Sequence, residues 1–202
     1  MKLLVGFFKN LTGQVNQDGN LAISLIVASL PITAVGLLAK SFVENELRTA
    51  GVIAITTIVF GFVLYVADRF GTRSKNTTEL SLTHAIAIGA AQCLALIPGT
   101  SRSGITISAA LALGYQREAA SKISFLLSIP TILGASSLLL LDLIDSPLSV
   151  EWGKLAMGML VSGVTAYACI KLFITTIERI GFLPFVIYRL LLGIALAYFI
   201  WM

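Results

Sequence analysis

The sequence predicts an all-α polytopic membrane protein, and three observations carry that prediction. Hydrophobic residues make up 57% of the 202, and charged residues only 12%, against about 25% charged in a soluble domain. Mean hydropathy is +0.94. Long runs without a formal charge recur along the chain, at 19–39, 49–67 and 123–141, each close to the ~20 residues that span a bilayer as a helix.

In order, the expected crossings lie near 20–40, 50–67, 123–141, 154–172 and 184–202, within one integral membrane domain covering 1–202. The fourth has a shorter apolar run, flanked by Lys154 and Lys171, which can snorkel to the interfaces. The fifth is interrupted by Arg189, whose expected place is also an interface. Pro31 and Pro130, each in a Ser-x-Pro context inside a crossing, mark expected kinks. The opening MKLLVGFFKNLTGQ does not read as a signal peptide: its apolar part is short, Lys9 ends it, and no small-x-small site follows. Cys93 and Cys169 lie in apolar segments at no metal-ligand spacing and read as small buried hydrophobes. The sequons at Asn10 and Asn76 matter only in a secretory pathway.

Between the second and third crossings, residues 80–116 contain one formal charge, Arg102. The apolar arms on either side of Pro98-Gly99-Thr100-Ser101-Arg102-Ser103-Gly104 are 14 and 10 residues, 84–97 and 105–114. Each is too short to cross, and each suits half the depth of a bilayer, so the stretch reads as a re-entrant helix-loop-helix at 83–115. Lysine and arginine placement agrees. Setting aside Arg102 and Arg189, a re-entrant hairpin puts nine basic residues on one side: Lys2, Lys9, Arg69, Arg73, Lys75, Arg117, Lys122, Lys171 and Arg179. Lys40, Arg48 and Lys154 are left on the other. A single crossing would divide them six against six, which the positive-inside rule does not produce. The hairpin therefore enters from the cytoplasmic side, while Asp142, Asp145 and Glu151 fall in an outer loop. The net charge of +4 thereby speaks of orientation and not of nucleic acid.

The PGTSRSG loop has the chemistry of an anion site. Pro98 and Gly99 stop the first arm. Thr100 or Ser101 can cap the second, leaving unpaired N–H groups and a partial positive charge at a helix N-terminus. Arg102 adds a fork of donors matched to phosphate oxygens. Ser101, Ser103 and Thr106 add hydroxyls, and Gly99 and Gly104 let a ligand come close to the backbone. The competing reading pairs Arg102 with backbone carbonyls, since no carboxylate lies inside an apolar run. An arginine at helix centre costs about 2.5–3.5 kcal/mol on insertion scales, which argues for a use. His84, the only histidine, is an interfacial residue at the start of the arm, and Gln92 is close enough to face the loop.

The stretch AQCLALIPGTSRSGITISAALALGYQREAASKISFLLSIPTILGA, with the closing GFLPFVIYRLLLGIAL, resembles the undecaprenyl-diphosphate phosphatases of the bacitracin-resistance type. The resemblance implies an inverted-repeat fold in which two re-entrant hairpins meet near the midplane. It also implies removal of the terminal phosphate from a polyprenyl diphosphate lipid in the bacterial inner membrane, recycling the carrier of peptidoglycan precursors. Carried over by motif, Arg102 would bind the diphosphate, with Ser101 and Thr106 as further catalytic residues; Gly99, Thr100, Ser103 and Gly104 would shape the substrate site. A divalent metal, Mg²⁺ or Ca²⁺, and a possible homodimer are implied as well.

The family's other half-site, an N-terminal hairpin with E-x-x-x-E and a serine-rich loop ending in Gly-His, has no counterpart in this sequence. The expectation is a chain that begins near the family's second full crossing and carries no metal ligands. Two alternatives to hydrolysis follow, a non-catalytic lipid-phosphate binder and a transporter of phosphorylated lipid carriers.

Overall fold

The computed structural model describes residues 16–144 and 151–202. Lys2, Lys9 and the Asn10 sequon, like Asp145, lie outside the described residues. Helix α1 (Gln17–Leu38) opens on Asn16, whose side chain accepts from the Gly19 N–H at 2.8 Å. Two short turns, Lys40–Phe42 and Val43–Leu47, lead to α2 (Ala50–Phe70), capped by Thr49. The hairpin is built from α3 (Leu82–Gln92) and α4 (Arg102–Ala112). Then come α5 (Arg117–Ile144), α6 (Trp152–Ile180) and α7 (Leu183–Trp201). Among the described residues, five helices are long and apolar enough to cross a membrane: α1, α2, α5 over Arg117–Ser137, α6 and α7. The protein is a multi-pass, all-α membrane protein.

Several boundaries differ from the pattern in the sequence, each for a physical reason. The first arm leaves α geometry at Gln92 and continues as a 3₁₀ turn, Cys93–Leu96. Pro98 disfavours the α region at Ile97, and Ile97 is extended (φ −76°, ψ 120°). Helix α5 begins six residues before its uncharged run, where Glu118 and Lys122 pair at i,i+4. It continues to Ile144, so Asp142 is helical, beyond the apolar span that ends at Ser137. Helix α6 passes through Lys171 and ends at Ile180, because a charge marks where a helix leaves hydrocarbon without ending it. Cys93 is half-buried and Cys169 is exposed on α6, which corrects its expected burial.

The two ends of the hairpin lie side by side. Gln116 N–H donates to Lys75 O at 2.9 Å, Ser74 and Lys75 N–H to Gly114 O at 2.9 and 3.0 Å, and Lys75 Nζ to Leu113 O at 2.8 Å. The loop at 97–101 is thus the tip of a segment that returns to its own starting end. The start of α1 joins the same end, where Gln17 Nε2 donates to Thr78 O at 3.4 Å. So do the close of α2 and the α6–α7 junction, where Asp68 meets Arg117 and the Phe182 N–H. Basic residues of this end include Arg69, Arg73, Lys75, Arg117, Lys122 and Arg179; Lys40, Arg48 and Lys154 sit at the other.

The packed interior is small and lies around the hairpin. Leu25 and Ala28 of α1 meet Ala85 and Ile88 of α3, while Ile107, Ala110 and Leu111 of α4 pack with Ile123 and Leu127 of α5. Outward faces are apolar, as at Leu30, Leu38, Leu160 and Phe199, the pattern expected where the solvent is lipid. Helices α2 and α7 cross closely because Gly193 has no side chain: a Cβ there would stand 2.4 Å from Ile58 Cγ1 and 3.2 Å from Ala54 O. That crossing carries Arg189 inward.

At the open end of the hairpin, the buried Tyr115 hydroxyl donates to Glu79 O at 3.2 Å and lies 2.9 Å from His84 Nδ1. His84 therefore belongs to the hairpin's base, 14 residues from Pro98. Burial, helped by the Glu79 charge, raises the Tyr115 pKa above its ordinary value, against a lowering hydrogen bond at Ser81. A proton held more tightly in the folded state stabilises it fully below pH ~10, and that stabilisation is lost as pH rises further. Thermal midpoints in detergent should fall as pH rises above ~10, and fall less in Tyr115→Phe. Equal slopes for the two proteins would refute the assignment.

Candidate functional site

The loop backbone is unusual at two residues. Gly99 has φ +89°, and Ser101 has φ 63°, a conformation L residues avoid unless their surroundings impose it. Ser101 is the cap of α4: its Oγ accepts from Gly104 N–H at 3.2 Å, deciding between the two capping residues the sequence offered. The first-turn N–H groups of Arg102 and Ser103 precede any intrahelical partner and face the loop end of α4.

The back of the loop is held by two other helices. Thr56 Oγ1 donates to Pro98 O at 2.6 Å and Thr57 Oγ1 to Gly99 O at 3.3 Å, both from α2. From α7, Arg189 Nη2 donates to Gly99 O at 2.8 Å, Thr100 O at 3.2 Å and Thr57 O at 3.3 Å. The expected snorkelling of Arg189 is thereby corrected. The loop's outward-turned carbonyls have no helical partners, and a half-buried guanidinium satisfies them at lower cost than lipid would.

Arg102 does not pair with backbone carbonyls. Its Nε donates to Gln92 Oε1 at 2.8 Å and its Nη2 to Thr131 Oγ1 at 3.1 Å. Gln92 is fully buried, its amide oxygen fixed by the guanidinium and its Nε2 left without a protein partner. Thr131 follows Pro130 inside α5. Among the described residues, neither Arg102 nor Arg189 enters an ion pair. Two uncompensated guanidinium groups thus converge on one loop from opposite flanks, Arg102 beside α3 and α5, Arg189 beside α2. Such an arrangement favours a multiply charged anion.

The remaining candidates divide by position. Ser101, Ser103 and Gly104 line a cavity of about 180 Å³ together with Arg189. Thr100 is fully buried, its Oγ1 without a protein partner. Thr106 is also buried, but its hydroxyl is within 2.7 Å of Ser124 Oγ and donates to Arg102 O at 3.0 Å. It ties α4 to α5 beneath the arginine. Gly99 faces α2, so its missing side chain admits the helix instead of a ligand. Sequence reasoning did not place Thr56, Thr57, Thr131 or Arg189 here. The only signal for them was polarity inside apolar runs, strongest for Arg189.

The described residues do not fit a resident Mg²⁺ or Ca²⁺. Such cations take oxygen ligands with carboxylates among them, whereas guanidinium groups flank this loop. Among the described residues no group of three or more His, Cys, Asp or Glu side chains comes together. Asp68, a buried carboxylate just past the second uncharged run, is held at the hairpin's open end by Arg117.

Comparison with known proteins points the same way as the loop. The family model described as "Bacitracin resistance protein BacA" matches residues 1–195. The chain is 54% identical over 187 residues to a protein of Alcanivorax borkumensis named undecaprenyl-diphosphatase, covering 93% of this chain and 71% of that protein. It is 53% identical over 184 residues to the undecaprenyl-diphosphatase of Chromohalobacter salexigens, covering 91% and 69%. To that of Saccharophagus degradans it is 47% identical over 201 residues, covering 100% and 76%. With the match running through the helical hairpin and the positions of both Arg102 and Arg189, the chain belongs to the BacA family of bacitracin resistance proteins.

Proposed function

We propose that this protein hydrolyses undecaprenyl diphosphate to undecaprenyl phosphate and inorganic phosphate, in the inner membrane of a bacterium, at the PGTSRSG loop. The observation that carries the reading is the pair of guanidinium groups, Arg102 and Arg189, set without carboxylates around a helix N-terminus. Relatives named for this activity support it. Water attacks the terminal phosphorus, the bridging P–O bond breaks, the lipid-linked phosphate leaves with the electron pair, and the water's proton passes to that departing phosphate oxygen. Charge grows on the bridging and terminal oxygens, where fixed donors stabilise it most. Arg102 and the first-turn N–H groups of α4 serve that role, with Gln92 and Thr131 orienting the guanidinium. The basic end of the hairpin faces the cytoplasm.

Phosphate release from farnesyl diphosphate by the full chain in detergent is the test. Arg102→Ala should lower the rate about 10²–10³-fold, as loss of a positioned charge-stabilising donor does, and Arg102→Lys should recover part of it. Release indifferent to Arg102 would refute the reading. Tight binding without release would make the chain a lipid-phosphate binder, and movement of intact lipid across liposomes a transporter.

A further inference from the structure

The cavity on the Arg189 flank of the loop has two unlike ends. One is polar, formed by Ser101, Ser103, Gly104 and Arg189; the other carries Phe173, Phe185 and Tyr188. The rings are ordered: Phe173 and Phe185 stack edge to face at 4.9 Å between centroids, and Phe125 packs on Phe173 at 5.3 Å. Tyr188 is 64% exposed, so the aromatic end opens toward the lipid-facing side of α7. Arg102 does not line this cavity.

Arg189 is equipped to act in two directions. All three of its hydrogen bonds leave from Nη2, toward the loop and α2. Its Nη1 makes none of these bonds and lies 4.0 Å from where a Cβ on Gly104 would stand, the same position that the Ser101 hydroxyl approaches at 3.1 Å. The Ser101 oxygen accepts from Gly104 N–H, which leaves its proton to donate. Charge-bearing donors therefore meet an apolar aromatic wall within one cavity, the chemistry of a phosphate ester of a long apolar alcohol.

We infer that this cavity is the subsite for the lipid-linked phosphate and the first isoprene units, with Arg189 Nη1, Ser101 and Ser103 on the phosphate and Phe173, Phe185 and Tyr188 on the prenyl chain. The inference rests on the proposed function and divides the diphosphate between two arginines: Arg102 takes the terminal phosphate, Arg189 the one that stays on the lipid. Arg189 is thereby a specificity residue as well as a clamp on the loop. The saturating product, a prenyl monophosphate, should compete for the Arg189 flank alone.

Equilibrium binding to the full chain in detergent separates these roles, using farnesyl monophosphate and inorganic diphosphate as probes. Tyr188→Ala removes an exposed ring at small structural cost. It should weaken farnesyl monophosphate about tenfold, the worth of one well-packed aromatic contact, and leave inorganic diphosphate unchanged. Arg189→Lys keeps a charge for the loop carbonyls but has no second nitrogen for the cavity, and should weaken farnesyl monophosphate by about tenfold or more. Arg102→Ala should weaken inorganic diphosphate and spare farnesyl monophosphate. The subsite is refuted if Tyr188→Ala and Arg189→Lys bind farnesyl monophosphate like the wild type, or if Arg102→Ala abolishes binding of both probes equally. Failure of the wild-type chain to bind either probe would instead sink the proposed function itself.

Discussion

Replacing Gly99 by alanine should lower the thermal midpoint in detergent by roughly 10 °C, which is about 3–5 kcal/mol for a chain of this size. Two costs combine. The residue sits at φ +89°, where a side chain costs about 1–2 kcal/mol. Its Cβ would stand 2.2 Å from Thr56 Oγ1 and 2.6 Å from Ile53 O. The threonine can rotate away, at the expense of its bond to Pro98 O. The Ile53 carbonyl belongs to the backbone of α2 and cannot, so the loop must lift off the helix, an overpacking penalty of about 1–3 kcal/mol. Lifting the loop also carries Gly99 O and Thr100 O away from Arg189. Gly104→Ala is the control. Its Cβ would meet no backbone, only Ser101 side-chain atoms at 3.1 and 3.3 Å and Arg189 Nη1 at 4.0 Å, and its midpoint should drop far less. Equal midpoints for the two variants would show that the loop does not press on α2.

Asp68→Asn is the second large effect, and it acts at the opposite end of the hairpin. The carboxylate is buried and takes a forked pair from Arg117, Nε to Oδ1 at 2.6 Å and Nη2 to Oδ2 at 2.9 Å. Arg73 Nη2 approaches Oδ1 at 3.4 Å, and Phe182 N–H reaches Oδ2 at 3.4 Å. One side chain thus ties together α2, the start of α5 and the α6–α7 junction. Removing its charge leaves two guanidinium groups facing a neutral amide. Breaking a buried pair from one side costs about 3–5 kcal/mol. The low end applies, since the Arg117 and Arg73 side chains keep 27% and 35% of their exposure. A cycle with Arg117→Gln should be non-additive, the double variant being less destabilised than the sum of the singles. Strict additivity would mean that the pair contributes nothing.

Much of the fold was legible because a bilayer constrains sequence so strongly. Runs without charge had to be helices near the observed α1, α2 and α5. Half-length arms around a proline and a glycine had to turn back, and the Lys75–Gln116 contact is where their two ends meet again. Boundaries were less legible, since hydropathy reports the edge of hydrocarbon and not the end of a hydrogen-bonded helix; α5 and α6 both run beyond their apolar windows. The anion-site reading of Arg102 followed from its isolation among apolar residues. Its partners did not, because Gln92 and Thr131 lie 10 and 29 residues away along other helices.

Local composition and the cost of charge in lipid were enough to set the class of the protein, the hairpin, and a loop rich in donors suited to an anion. The inward turn of Arg189 came from packing alone. A basic residue one turn after Pro184 can snorkel or clamp, and nothing within its own helix chooses. The close crossing of α7 on α2 at Gly193, and the unpaired carbonyls of the loop 90 residues earlier, make that choice.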